Sequence, residues 1–97
     1  MVTKLNFDLY CRWYQIEPTY RIYVNDDLIT ERTWNHPNGK EYRQEEILVN
    51  LDLNKEHNLK LVPVARNNPI FEIKNFSINN EIAIPQVGLD HKFAISQ

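Results

Sequence analysis

Tyr20-Arg-Ile-Tyr-Val-Asn-Asp-Asp-Leu-Ile-Thr-Glu-Arg-Thr-Trp34 decides the fold. Tyr20, Ile22 and Val24 alternate with Arg21 and Tyr23, the pattern of an extended run with one apolar side. Asn25, Asp26 and Asp27 interrupt it with short polar side chains that tolerate turns and left-handed backbone. Leu28 to Trp34 then resumes with Ile, Thr and Trp, residues that favour strands. The stretch predicts a β-hairpin.

The same grammar runs outward in both directions. Upstream, Leu5, Phe7, Leu9, Cys11 and Trp13 share one side of a strand and Asn6, Asp8, Tyr10, Arg12 and Tyr14 the other. Ile16-Glu17-Pro18-Thr19 ends that ladder, because proline has no amide hydrogen to give a central strand. Downstream, His36-Pro37-Asn38-Gly39-Lys40 is a turn cluster. Ile47, Val49, Leu51 and Leu53 alternate next, Asn54-Lys55-Glu56 turns the chain, and Asn58 to Val64 returns. Asn67-Asn68-Pro69 bends it again before Ile70 to Ile78, and Asn79-Asn80 makes a short hairpin into Glu81 to Ile84. Pro85 and Gly88 close that element.

No segment keeps a helical repeat over three turns. Strands joined by turns every 8–12 residues are the mark of packed antiparallel sheets. A chain of 97 residues has room for one core, so residues 1–97 read as a single domain. The prediction is an all-β, jelly-roll-like antiparallel β-sandwich of seven to eight strands, with 85–97 as a docked or partly flexible C-terminal tail. An immunoglobulin-like sandwich is less favoured, since the Cys…Trp…Cys framework is absent.

Composition excludes several classes of function. The formal charge is −2 with both signs scattered, which leaves no basic stripe to neutralise phosphates, so no nucleic-acid partner is expected. No run approaches the eighteen apolar residues of a membrane span, and no secretory leader is visible, so synthesis in a cytoplasm is expected. Cys11 is the only cysteine, placed in an apolar row, and reads as an inert thiol. His36, His57 and His91 have no metal-ligand spacing. Glu45 and Glu46 are adjacent in a strand and point to opposite faces, which spoils them as a catalytic carboxylate pair. Phosphate cradle, nucleophile elbow and HExxH are missing. No enzyme activity and no cofactor are expected.

Three stretches resemble small jelly-roll carbohydrate-binding modules. Tyr23-Val-Asn-Asp-Asp-Leu28 is similar to a module hairpin that ends at an Asn-Gly or Asn-Asp turn. Ile47-Leu-Val-Asn-Leu-Asp-Leu-Asn-Lys-Glu-His-Asn-Leu-Lys-Leu61 is similar to the later strand, turn and return, and Phe71-Glu-Ile-Lys-Asn-Phe-Ser-Ile-Asn-Asn80 to the penultimate strand and hairpin. The resemblance implies polysaccharide binding, in some modules with calcium. The same pattern also resembles small structural proteins of tailed bacteriophages, which implies a place in a virion.

Candidate residues follow. Tyr10, Tyr14 and Tyr23 lie opposite the inward rows and, if those faces meet, form an aromatic strip beside Arg12 and Arg21. Trp34, beside a turn, packs inward or forms a platform. Asp26, Asp27, Asp52 and Glu56 are oxygen donors near turns and would serve calcium only if both turns share one end. The preferred reading is a non-enzymatic structural or protein-interaction domain, an accessory component of a viral particle or other assembly, with a protein partner or self-association. The alternative is a carbohydrate-binding module.

Overall fold

The computed structural model describes residues 1–12, 17–34, 42–64 and 70–95. Among the described residues eight strands form: β1 (Val2–Arg12), β2 (Thr19–Val24), β3 (Asp27–Thr33), β4 (Tyr42–Asn50), β5 (Glu56–Pro63), β6 (Ile70–Ile78), β7 (Glu81–Ile82) and β8 (Asp90–Ala94). They build two four-stranded sheets, β4-β1-β6-β7 and β3-β2-β5-β8, with every pairing antiparallel. The jelly-roll-like β-sandwich is the observed fold. Within the expected C-terminal tail, Asp90–Ala94 pair with β5 as a strand.

The inward rows are those set by the period of two. Leu5, Phe7, Leu9 and Cys11 from β1 face Tyr20, Ile22 and Val24 from β2 across the sandwich core, all buried. Leu59, Leu61, Phe71, Ile73, Phe76 and Phe93 extend that core toward the β7/β8 side. Phe76 and Phe93 meet edge to face with centroids 5.5 Å apart. Trp13, expected in the same inward row, lies outside the described residues.

The turns explain how a chain with two glycines makes so many tight reversals. Val24 pairs with Asp27 and Ile78 with Glu81, so each hairpin loop has two residues. Asn25 and Asp26 have φ of 52° and 67°, Asn79 and Asn80 of 51° and 70°, the left-handed pair that a type I′ turn requires. Asn and Asp reach that region at lower cost than other non-glycine residues, through local hydrogen bonding. Asn75, with φ of 56°, sits where the β1–β6 register slips between Asn6 and Asp8, and its amide donates to Asp8 Oδ2 at 2.9 Å. That is a bulge stabilised by its own side chain.

Candidate interaction surface

Because β1 and β2 belong to different sheets, their outer faces lie on opposite sides of the molecule. The aromatic strip expected from Tyr10, Tyr23, Arg12 and Arg21 is therefore two separate surfaces; Tyr14 lies outside the described residues. On the β2 side, Arg21 Nε donates to Glu31 Oε2 at 3.0 Å, and that contact raises the guanidinium pKa further. Tyr23 is half-buried opposite the exposed Leu28. Trp34 is fully buried, so it is part of the core and not a surface anchor. Its backbone N–H donates to Pro18 O at 2.7 Å, which carries the β2–β3 pairing one step past Thr19 and Thr33.

Tyr10 acquires different neighbours. The β1–β4 register sets it opposite Tyr42, and the two rings stack 5.5 Å apart at 28°. Lys74 Nζ lies 4.9 Å from the Tyr10 centroid, within the range of a cation–π contact. Tyr10 thus has one ring face against an aromatic and the other against an ammonium. A shallow groove of about 400 Å³ follows, lined by Tyr10, Cys11, Arg12, Ile70, Glu72 and Lys74. Ile70, 66% exposed, and Tyr42, 51% exposed, are large apolar side chains at this rim. Burial pushes the Cys11 thiol from 9.0 up to about 11, which leaves it protonated and unreactive at neutral pH.

The two acidic turns do share one end of the sandwich. Asn25 Oδ1 accepts from the Asn58 N–H at 3.0 Å and Asn25 Nδ2 lies 2.8 Å from His57 Nδ1. His57 Nε2 is 2.7 Å from Asp52 O, and a carbonyl only accepts, so Nε2 carries the proton and Nδ1 accepts from Asn25. The imidazole is thereby a fastener between turns. Asp26, Asp27, Asp52 and Glu56 remain exposed around it, and Asp52 pairs with Lys55 at 3.3 Å. Among the described residues no three His, Cys, Asp or Glu side chains are grouped to hold a metal ion.

Sequence reasoning passed over the strongest polar feature, at the opposite side of β4. Glu45 is 1% exposed and accepts a 2.6 Å hydrogen bond from the Tyr20 hydroxyl. Arg32 Nε and Arg43 Nε stand 3.0 and 3.2 Å from its two oxygens, the former as an ion pair without hydrogen-bond alignment. Burial, then the bond to Glu45, hold the Tyr20 phenol well above the usual tyrosine range, with Arg43 and Arg32 opposing. Glu46 faces out instead, 3.9 Å from Lys4, as the strand alternation requires. The missed signal was phase: Glu45 shares the inward row with Ile47.

The fold defines a structural class, a small antiparallel β-sandwich of two four-stranded sheets. No known protein family matches the chain, and neither a curated protein nor a solved structure does.

Proposed function

We propose that the chain is a non-enzymatic interaction domain that binds a protein partner through the rim of the β4-β1-β6 face, as an accessory component of a larger assembly such as a viral particle. One observation carries this reading. Tyr42, stacked on Tyr10, and Ile70, which pairs with Arg12 and lines the groove with it, present large apolar surface on the two strands that flank β1. Aromatic, aliphatic and arginine side chains in one partly concave patch are what protein interfaces use as anchors.

Stacking geometry weighs against the carbohydrate alternative at Tyr10. A sugar ring stacks on an open aromatic face, and both Tyr10 faces are occupied. One observation favours that second reading: Tyr42, half exposed, stands on the outermost strand of its sheet, so its ring face turned away from Tyr10 borders the sheet edge.

Affinity recovery from the native source with wild type and with Ile70→Asp and Tyr42→Ala variants tests the proposal. A partner, or a second copy seen by sedimentation at several concentrations, should be lost in both variants while the fold is kept. Glycan-array binding that depends on Tyr42, with no protein partner recovered, would overturn it in favour of the carbohydrate reading.

A further inference from the structure

β3 and β4 are the edge strands of their sheets and lie over one another at one side of the sandwich. Each turns a charged residue inward there, Arg32 from β3 and Arg43 with Glu45 from β4. Three formal charges meet at this edge and sum to +1. The other acids of the two strands' middles are committed elsewhere, Glu31 to Arg21 and Glu46 to Lys4, both on outer faces. Among the described residues, then, the β3/β4 edge carries a spare positive charge held in place by a buried carboxylate.

The way it is held matters. Both arginines meet Glu45 through Nε, which leaves the donors at the distal edge of each planar guanidinium uncommitted to that carboxylate. Their side chains are 37% and 31% exposed, so those distal edges have access to solvent. Anchoring by Glu45 removes part of the rotamer entropy a flexible arginine would lose on binding.

We infer that this edge is a docking site for a carboxylate on an extended peptide segment of a partner protein. A carboxylate matches the spare charge and the planar donor geometry. A peptide is favoured over a sugar acid for two reasons. Among the described residues β4, nine residues long, pairs on one side alone, and an extended peptide can use the backbone groups of its other side where a sugar cannot. Trp34, just past the end of β3, is fully buried and offers no stacking platform. Inward-pointing charges on edge strands discourage indiscriminate strand pairing. Two copies meeting at this edge would oppose like charges, whereas an acidic strand brings the missing one. The site is independent of the groove beside Tyr10, which is lined by residues of β1 and β6 and by none of β3 or β4.

Nitrogen-15 spectra of the full chain, read at the arginine Nε–H signals, test the inference. N-acetylated hexaglutamate amide is the probe, titrated at constant ionic strength, with hexaglutamine amide and trigalacturonate as parallel arms. Hexaglutamate should move the Arg32 and Arg43 signals saturably. Arg43→Gln should weaken that binding about tenfold, the equivalent of one charge-assisted hydrogen bond. Arg43→Lys, which keeps the charge that faces Glu45 but not the planar donor edge, should weaken it too and serves if the glutamine variant fails to fold. Motionless signals, equal shifts with hexaglutamine or with added sodium chloride, preference for trigalacturonate, or full affinity in Arg43→Lys would each overturn the proposal.

Discussion

The two sides of the sandwich are closed by different physics. At the β3/β4 side, both edge strands are long, seven and nine residues, and the space between them is sealed by Glu45, Arg32, Arg43 and the Tyr20 hydroxyl. At the β7/β8 side, β7 has two residues, and the connection to β8 passes alongside β6 as an irregular strap. Ala83 N–H donates to Phe76 O at 2.8 Å, and the Gln86 amide bonds both the N–H and the C=O of Lys92, imitating a strand partner. A cleft of about 300 Å³ remains between strap and β6, and Ile84 is 85% exposed. A charged seal is strong only while complete, because removing one member leaves the others buried and unpaired. An apolar strap has few buried groups to lose. The two edges should therefore respond to substitution in opposite ways.

The largest effect is expected from Glu45→Ala, which leaves two guanidiniums and the Tyr20 hydroxyl without their shared acceptor. A loss of about 3 kcal/mol is expected, near the lower end for a broken buried ion pair because both arginines keep some solvent. Urea unfolding measures it, and a loss within the ordinary surface range of about 0.5 kcal/mol would show that the edge does not depend on its charges. Tyr20→Phe removes one hydrogen bond to the same carboxylate and should cost roughly 1.5 kcal/mol in that assay.

Alkaline titration adds a gradual effect on the same side of the core. Cys11 and Tyr20 both have raised folded-state pKa values, so each prefers its protonated form in the folded protein. The stability they contribute is complete below their unfolded values and is lost as pH rises, for Cys11 between 9.0 and about 11. Thermal melts should be level up to pH 9 from these groups and fall above it; a melting point rising through that window would refute the assignment. Iodoacetamide should leave Cys11 unmodified at pH 8 in the folded chain and alkylate it in urea.

The smallest change is expected on the strap. Ile84→Lys should shift stability by no more than about 0.5 kcal/mol, since that side chain is already in solvent. A larger loss would mean that the strap seals the core as tightly as the charged edge does.

Much of this architecture is visible in the order of residues. The β1 alternation Leu5, Phe7, Leu9, Cys11 set its own facing, because a side chain's face in a regular strand follows from its parity, and Ile70 to Ile78 has the bounds of β6. Turn positions were legible from Asn-Asp and Asn-Asn pairs, whose need for left-handed backbone is a local property. Surface partners were not. Tyr10 meets Tyr42 across thirty-two positions of sequence through the β1–β4 register, and no local pattern carries that number. Trp34 shows the same limit, its neighbours giving strand and turn while the burial comes from packing across the core.

The sequence alone determined the strands β1 to β7, most of their reversals and the apolar face of β1 and β2, since these depend on residues within one or two positions of each other. Asp90–Ala94, by contrast, became a strand through its pairing with β5. Tertiary structure alone decided which strands share a sheet. That assignment parted Tyr10 from Tyr23, joined Asn25 to His57, and brought Arg32, Arg43 and Tyr20 to one carboxylate. The physical reason is that antiparallel strands of similar pattern pair with comparable local energy. Only the packing of all the apolar faces at once selects among the pairings.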